Sequence, residues 1–207
     1  MKLTIFGATG RVGSRLAYLA LEAGHEVSVF VRDRSRLTLT SEKLEVYEGE
    51  LDDEAQVLEA CTGAEVLFSA LGGSMKESPV HAGKRIAALL TAINKLTIRR
   101  VLAIGGIGIL QSSDDELIKD TADYPSEFQN VADVHLETYR RLVSSGLDWT
   151  LPCPPNIIDK ELTAEYRVQK DFALKNCKEI GTNDLAHFML HEATANKYLS
   201  SRVSIGY

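Results

Sequence analysis

The segment that most limits what this chain can fold into is Lys2-Leu3-Thr4-Ile5-Phe6-Gly7-Ala8-Thr9-Gly10-Arg11-Val12-Gly13. A short β-branched and aromatic run leads into three glycines at three-residue spacing, and an amphipathic helix follows from about Arg11. That order is the one a dinucleotide-binding first β-α unit requires. Gly7 lets the chain turn sharply out of the strand, Gly10 lets backbone N–H groups approach a pyrophosphate, and Gly13 lets the helix pack closely. Thr9, Arg11 and Val12 belong to the same turn and join the candidate cofactor-binding set. A glycine-rich turn also forms without any ligand, but a strand and a helix in this order on either side favour a nucleotide.

The helix runs to about Ala23, with Val12, Leu16, Leu19 and Ala20 at helical spacing and Gly24 as its stop. Glu26 to Val31 reads as the second strand and ends in Arg32-Asp33-Arg34-Ser35-Arg36. In a dinucleotide fold this end faces the adenosine ribose. A carboxylate there favours the free 2′-hydroxyl of NAD, whereas arginine favours the 2′-phosphate of NADP through bidentate, charge-assisted hydrogen bonds. Arg32 and Arg36 are the expected clamp, with Arg34 turned to solvent and Asp33 the conflicting signal. The cofactor expected is NADP(H) in preference to NAD(H).

Leu44 to Glu48 gives a third strand, and Asp52 or Asp53 caps a helix reaching Cys61. Glu50 and Leu51 lie where an adenine edge could rest. Glu65 to Ala70 is a fourth strand, followed by Leu71, Gly72 and Gly73 as a close-approach loop or a plain connection. Pro79 to about Lys95 is a helix with Ile86, Leu89, Leu90 and Ile93 on its apolar face. Val101 to Ile104 is a buried strand ended by Gly105-Gly106-Ile107-Gly108, a loop that should lie beside the nicotinamide. Gln111 to Pro125 reads as an acidic surface excursion over the site. A long helix from Glu127 to Ser145 stops at Gly146, and Asp148 to Pro152 is the sixth strand. Gly105, Gly106 and Pro152 complete the cofactor-binding set at the nicotinamide end.

Beyond Pro152-Cys153-Pro154-Pro155-Asn156, an extended stretch with a candidate cis peptide, Glu165 to Gln169 alternates like a strand. Asn183 caps a helix to about Ala193, and Val203 to Ile205 is a last short strand. The whole, residues 1–207, reads as one Rossmann-type α/β domain with a doubly wound parallel sheet, in which about 153–207 forms the substrate side.

A net charge of −6 opposes non-specific nucleic-acid binding, and no apolar run is long enough to span a membrane. With no secretory leader in evidence and three cysteines that form no CxxC, the expected compartment is the cytoplasm. His187 and His191 have a metal-capable spacing but lack a third ligand, so no metal is expected.

With these residues in hand, the chain resembles the atypical short-chain dehydrogenase/reductases, the NmrA-like NAD(P)H-binding proteins, and within them the flavin and biliverdin-IXβ reductases. The resemblance rests on Gly7 to Gly13, Val31 to Leu37, Ser145-Gly146-Leu147, Pro154-Pro155, Leu162-Thr163 and Asp184 to Leu190. It implies a monomeric, NADPH-dependent reductase of flavins and related conjugated acceptors, with Arg32 and Arg36 on the 2′-phosphate. Two substrate-side positions depart from the pattern. Gly106 stands where the flavin reductases have a serine near the nicotinamide, and Asn156 stands where they have a histidine near the acceptor.

The wider superfamily's tyrosine and lysine are also absent. Tyr166 and Lys170 have the right spacing but sit in a strand-like tail. On the long helix the lysine position is His135, the tyrosine position is Val131, and Tyr139 lies one turn further on. The candidate catalytic residues are therefore His135 and Asn156, and the candidate substrate residues are Gly106, Asn156 and Tyr139. An isolated ketone needs a strong proton donor, whereas a flavin or quinone delocalises the incoming electron pair. The sequence thus favours hydride transfer to a flavin-like or quinone-like small molecule, with flavin as a candidate substrate. The alternative is an NADP-sensing regulatory protein without catalysis.

Overall fold

In the computed structural model, which describes residues 1–72 and 78–207, the first strand β1 (Lys2–Phe6) leads into helix α1 (Arg11–Glu22) and strand β2 (Glu26–Val31). Strand β3 (Leu44–Glu48), helix α2 (Glu54–Cys61) and strand β4 (Val66–Ser69) follow, then helix α3 (Pro79–Asn94) and strand β5 (Arg100–Ala103). A short hairpin, β6 (Gln111–Ser113) and β7 (Glu116–Leu117), precedes helix α4 (Gln129–Ser144) and strand β8 (Asp148–Cys153). The tail carries β9 (Asn156–Ile158), β10 (Arg167–Lys170), β11 (Glu179–Gly181), helix α5 (Thr182–Ala195) and β12 (Ser201–Gly206).

The main sheet has the order β10-β12-β8-β5-β4-β1-β2-β3, and every pair in it is parallel except β10 with β12. Both faces are covered, which is why β4 and β5 are buried at every position rather than alternating. Val57 of α2, Ile93 of α3 and Leu142 of α4 pack on one face, and Leu16 of α1 with Leu185 and Met189 of α5 on the other. From β1 the chain winds one way to β2 and β3, then returns to β4 on the other side. The crevice beyond the carboxyl ends of β1 and β4 is thus the topological switch point where such sheets hold ligands.

The tail departs most from the sequence expectation. Helix α5 starts at Thr182 with Gly181 as its cap, and Asn183 instead donates from Nδ2 to the Lys160 carbonyl at 2.6 Å. Thr182 donates to the Ile158 carbonyl at 2.7 Å, so the tail strand fixes the helix cap two residues early. β9 and β11 form a separate parallel pair, and the residues 152–156 contain no cis peptide. The acidic excursion after Gln111 is in part the β6–β7 hairpin.

Buried Asp184 ties the tail together. Its carboxylate accepts from the Thr163 amide (3.0 Å) and hydroxyl (2.9 Å), the Ala164 amide (2.7 Å) and the Tyr207 hydroxyl. Burial opposes its charge, but the bonds from Tyr207, Ala164 and Thr163 outweigh that and hold its pKa below the usual carboxylate value. A buried Arg100–Glu192 ion pair at 3.0 Å joins β5 to α5 in the same way.

Candidate cofactor cleft and active site

At the switch point lies a cleft of about 630 Å³. Its floor is the turn after β1, where Gly7, Thr9 and Gly10 line the opening. Gly7 has φ +85°, and a Cβ on it would sit 2.6 Å from the Ala70 carbonyl oxygen. A Cβ on Gly13 would sit 2.2 Å from the Gly7 carbonyl oxygen, so α1 begins pressed against the turn itself. Gly10 caps α1 without a side-chain hydrogen bond, and its own amide donates to the Gly7 carbonyl at 2.9 Å. The first-turn amides at Arg11 and Val12 therefore have no side-chain cap, the arrangement that receives an anion at a helix N-terminus.

Arg32 and Arg36 line the same cleft from the end of β2. Neither guanidinium makes a hydrogen bond or ion pair among the described residues. Asp33, the conflicting signal in the sequence, is occupied: its Oδ1 accepts from the Ser35 amide (3.0 Å) and hydroxyl (2.6 Å). Those two bonds lower its pKa. Arg34 is exposed and folds back to donate to the Val46 carbonyl at 3.0 Å. Glu50, Leu51, Leu71 and Gly72 complete the wall. A Cβ on Gly72 would meet nothing within 4 Å, and Gly73 lies outside the described residues.

Six lining residues, Phe6, Phe30, Val31, Asp52, Ala70 and Lys84, were not among the candidate site residues, and two of them carry charge. Lys84, on the second turn of α3, and Asp52 face the cleft, while Asp53 caps α2 by accepting from the Gln56 amide at 3.2 Å. The signal for Lys84 was its place near the amino end of the helix after β4, which opens at the ligand edge of the sheet.

Several anticipated residues lie apart from this cleft. The Arg11 side chain points to the tail and donates to the Ile157 carbonyl at 2.9 Å. Val12 is buried against the sheet. The Gly105 amide donates to the Pro152 carbonyl at 2.8 Å, fixing the loop after β5 to β8. A Cβ on Gly106 would lie 2.9 Å from Cδ2 of His135, so these two residues are in contact. Burial lowers the His135 pKa to about 4, which leaves the imidazole neutral at neutral pH. Tyr139 packs edge-on to Trp149 (5.7 Å between centroids) with the Arg202 guanidinium 4.6 Å over its ring. Asn156 is exposed at the start of β9. Among the tail aromatics, the Tyr166 hydroxyl hydrogen-bonds His187 Nδ1 at 3.0 Å.

The model of the NAD(P)H-binding family matches residues 7–196. The chain belongs to this family. A Burkholderia pseudomallei protein, provisionally described as exported, is 26% identical over 100% of both chains with a TM-score of 0.88. A protein provisionally described as an NADH-flavin reductase, from Streptococcus pneumoniae TIGR4, is 24% identical, covering 100% of this chain and 99% of its own, with a TM-score of 0.85. A wide-type short-chain dehydrogenase/reductase from Veillonella parvula DSM 2008, solved with NADP, is 20% identical over 100% of this chain and 94% of its own, with a TM-score of 0.80. This NAD(P)H-binding protein shares its Rossmann architecture with these solved structures. No helix among its described residues is long and apolar enough to cross a membrane.

Proposed function

We propose that this NAD(P)H-binding protein is an NADPH-dependent oxidoreductase that passes hydride to a flavin-like or quinone-like acceptor. The observation that carries the reading is the pair of uncommitted guanidinium groups, Arg32 and Arg36, on the cleft wall at the end of β2. They fit a 2′-phosphate, and the two Ser35 bonds hold Asp33 Oδ1 in the local turn beside them.

The nicotinamide, when bound, supplies the hydride; the chain binds and orients. Gly7, Thr9 and Gly10, with the amides of Arg11 and Val12, take the pyrophosphate, and Gly13 sets the close approach of α1. Glu50 and Leu51 flank the adenine, while Leu71 and Gly72 border the path toward the loop after β5. Gly105, Gly106 and Pro152 bound the nicotinamide end and Asn156 belongs to the acceptor side, whereas Tyr139, packed between Trp149 and Arg202, serves the core instead. Helix α4 has Val131 and a neutral His135 where a ketone reductase needs an acid, which favours an acceptor that stabilises its own added electrons. The NADP complex of the Veillonella protein and the flavin-reductase description of the Streptococcus protein support this reading. The protein acts as a monomer on a small molecule.

The test is NADPH oxidation by the purified protein with riboflavin, FMN, biliverdin and simple quinones. Turnover with at least one of these, faster with NADPH than with NADH, is the expected result. Tight NADP+ binding with no turnover on any of them would overturn it in favour of an NADP-sensing regulatory role.

A further inference from the structure

The outer face of α1 borders a second cavity, of about 370 Å³, whose lining shares no residue with the cofactor cleft. Arg11, Ser14, Arg15 and Tyr18 line it at the spacing that sets residues in one stripe along a helix. Leu39, beyond the end of β2, and Asp159, just after β9, bring two further parts of the chain to the same cavity. The charges that meet there are not used up by the protein. One N–H of Arg11, on Nη1, donates to the Ile157 carbonyl at 2.9 Å, which steadies the guanidinium and leaves its other N–H groups unpaired among the described residues. Arg15 and Asp159 have no hydrogen bond or ion pair among the described residues, with each other or with any other group. Ser14 Oγ donates to the Arg11 carbonyl at 3.0 Å, so toward a ligand it is an acceptor.

We propose that this cavity is a second small-molecule site, which takes a compact organic acid carrying a hydroxyl or amino group. Cations and an unpaired carboxylate that share one cavity are satisfied together by a molecule that is anionic at one end and donates hydrogen bonds at the other. Arg11 and Arg15 take the carboxylate through charge-assisted bonds, and Asp159 with Ser14 Oγ accepts from the hydroxyl or ammonium. The Tyr18 ring, 44% exposed, and Leu39 offer apolar wall to a short carbon skeleton. The volume stands near the lower end of ligand cavities, which suits such an acid rather than a second dinucleotide. An anion with no donor of its own, such as sulfate, leaves Asp159 unpaired and is repelled by it. Because the two cavities have no lining residue in common, this site is independent of the hydride-transfer reading.

The test is isothermal titration of small acids into the full-length protein saturated with NADP+, so that they cannot enter the cofactor cleft. The probes are L-malate and L-glutamate, with succinate and glutarate as the matching dicarboxylates that lack the hydroxyl or amino group, and sulfate. L-malate or L-glutamate should bind saturably and about tenfold more tightly than its counterpart, the worth of a hydrogen bond to a charged group. Sulfate should bind no better than the counterparts. Arg15→Gln should weaken the preferred acid about tenfold or more, and Asp159→Ala should bring it down to the level of its counterpart, with NADP+ affinity and unfolding temperature unchanged in both variants. Absence of saturable binding by both L-malate and L-glutamate would overturn the proposal. So would sulfate binding as tightly as the preferred acid, binding that Arg15→Gln does not weaken, or a preference over the counterpart that survives Asp159→Ala.

Discussion

At the end of β1, the close contacts of Gly7 and Gly13 are with backbone, the Ala70 and Gly7 carbonyls, and the space above Gly10 opens into the cofactor cleft. At the end of β5, side chains crowd the glycines: Cys153 Sγ lies 2.9 Å from a Cβ on Gly105, His135 2.9 Å from one on Gly106, and the Tyr124 hydroxyl 2.6 Å from one on Gly108. Both loops are glycine-rich and both end central strands of one sheet. In the first, glycine brings backbone to backbone and leaves the floor bare for a phosphate; in the second, it makes room for neighbouring side chains. A crowded side chain can rotate away, whereas a crowded carbonyl in a tight turn cannot.

Substitutions that add one methyl group probe that difference most sharply. Gly13→Ala forces a Cβ to within 2.2 Å of a carbonyl oxygen. It should cost about 3 kcal/mol or more in denaturant unfolding and abolish cofactor binding. If it were tolerated, the backbone-to-backbone account of the first turn would fail.

Acid tests the second loop. The folded-state His135 pKa of about 4 lies below its ordinary 6.5, so the unfolded chain binds the proton first. Stability contributed by the neutral ring is fully present above pH 6.5 and declines as pH falls toward 4, by on the order of 3 kcal/mol. Asp184, lowered from 3.8, gives up its contribution only at still lower pH. Comparing unfolding of wild type and His135→Ala at pH 7 and 4.5 should show the shallower pH dependence in the variant. His25, also lowered by burial, is present in both proteins and cancels. Equal slopes would mean that the ring is not desolvated beside Gly106.

Gly106→Ala should be the mildest. The added methyl meets only the end of the His135 ring at 2.9 Å, and residue 106 has ordinary extended backbone, φ −148°. It should cost about 1 kcal/mol and weaken NADP+ binding far less than Gly13→Ala, because it leaves the turn after β1 and the Arg32 and Arg36 wall untouched. Destabilisation as large as that from Gly13→Ala would erase the contrast between the loops.

The first half of the fold was legible because its signals are local. Strand β2, helix α1 and the Gly24 stop follow from residue pattern alone, and the Arg32 and Arg36 side chains were singled out by their place after β2. The tail was less legible because long-range bonds build it. Nothing near Asn183 in the sequence says that Lys160 will claim its amide, or that Asp184 will gather Thr163, Ala164 and Tyr207. The same limit applied to the site. Asp33 looked like a competing ribose ligand until its local Ser35 contacts appeared, and the contact of Gly106 with His135 joins two elements far apart in the chain.

The central claim is that the open cleft over the first glycine turn selects NADP(H) through Arg32 and Arg36. Isothermal titration of NADP+ and NAD+ into wild type and the Arg32→Ala, Arg36→Ala double variant tests it directly. The wild type should bind NADP+ at least about tenfold more tightly than NAD+, the worth of a charge-assisted contact, and the variant should bind the two with near-equal affinity. Equal affinities in the wild type, or a preference that survives loss of both arginines, would contradict it.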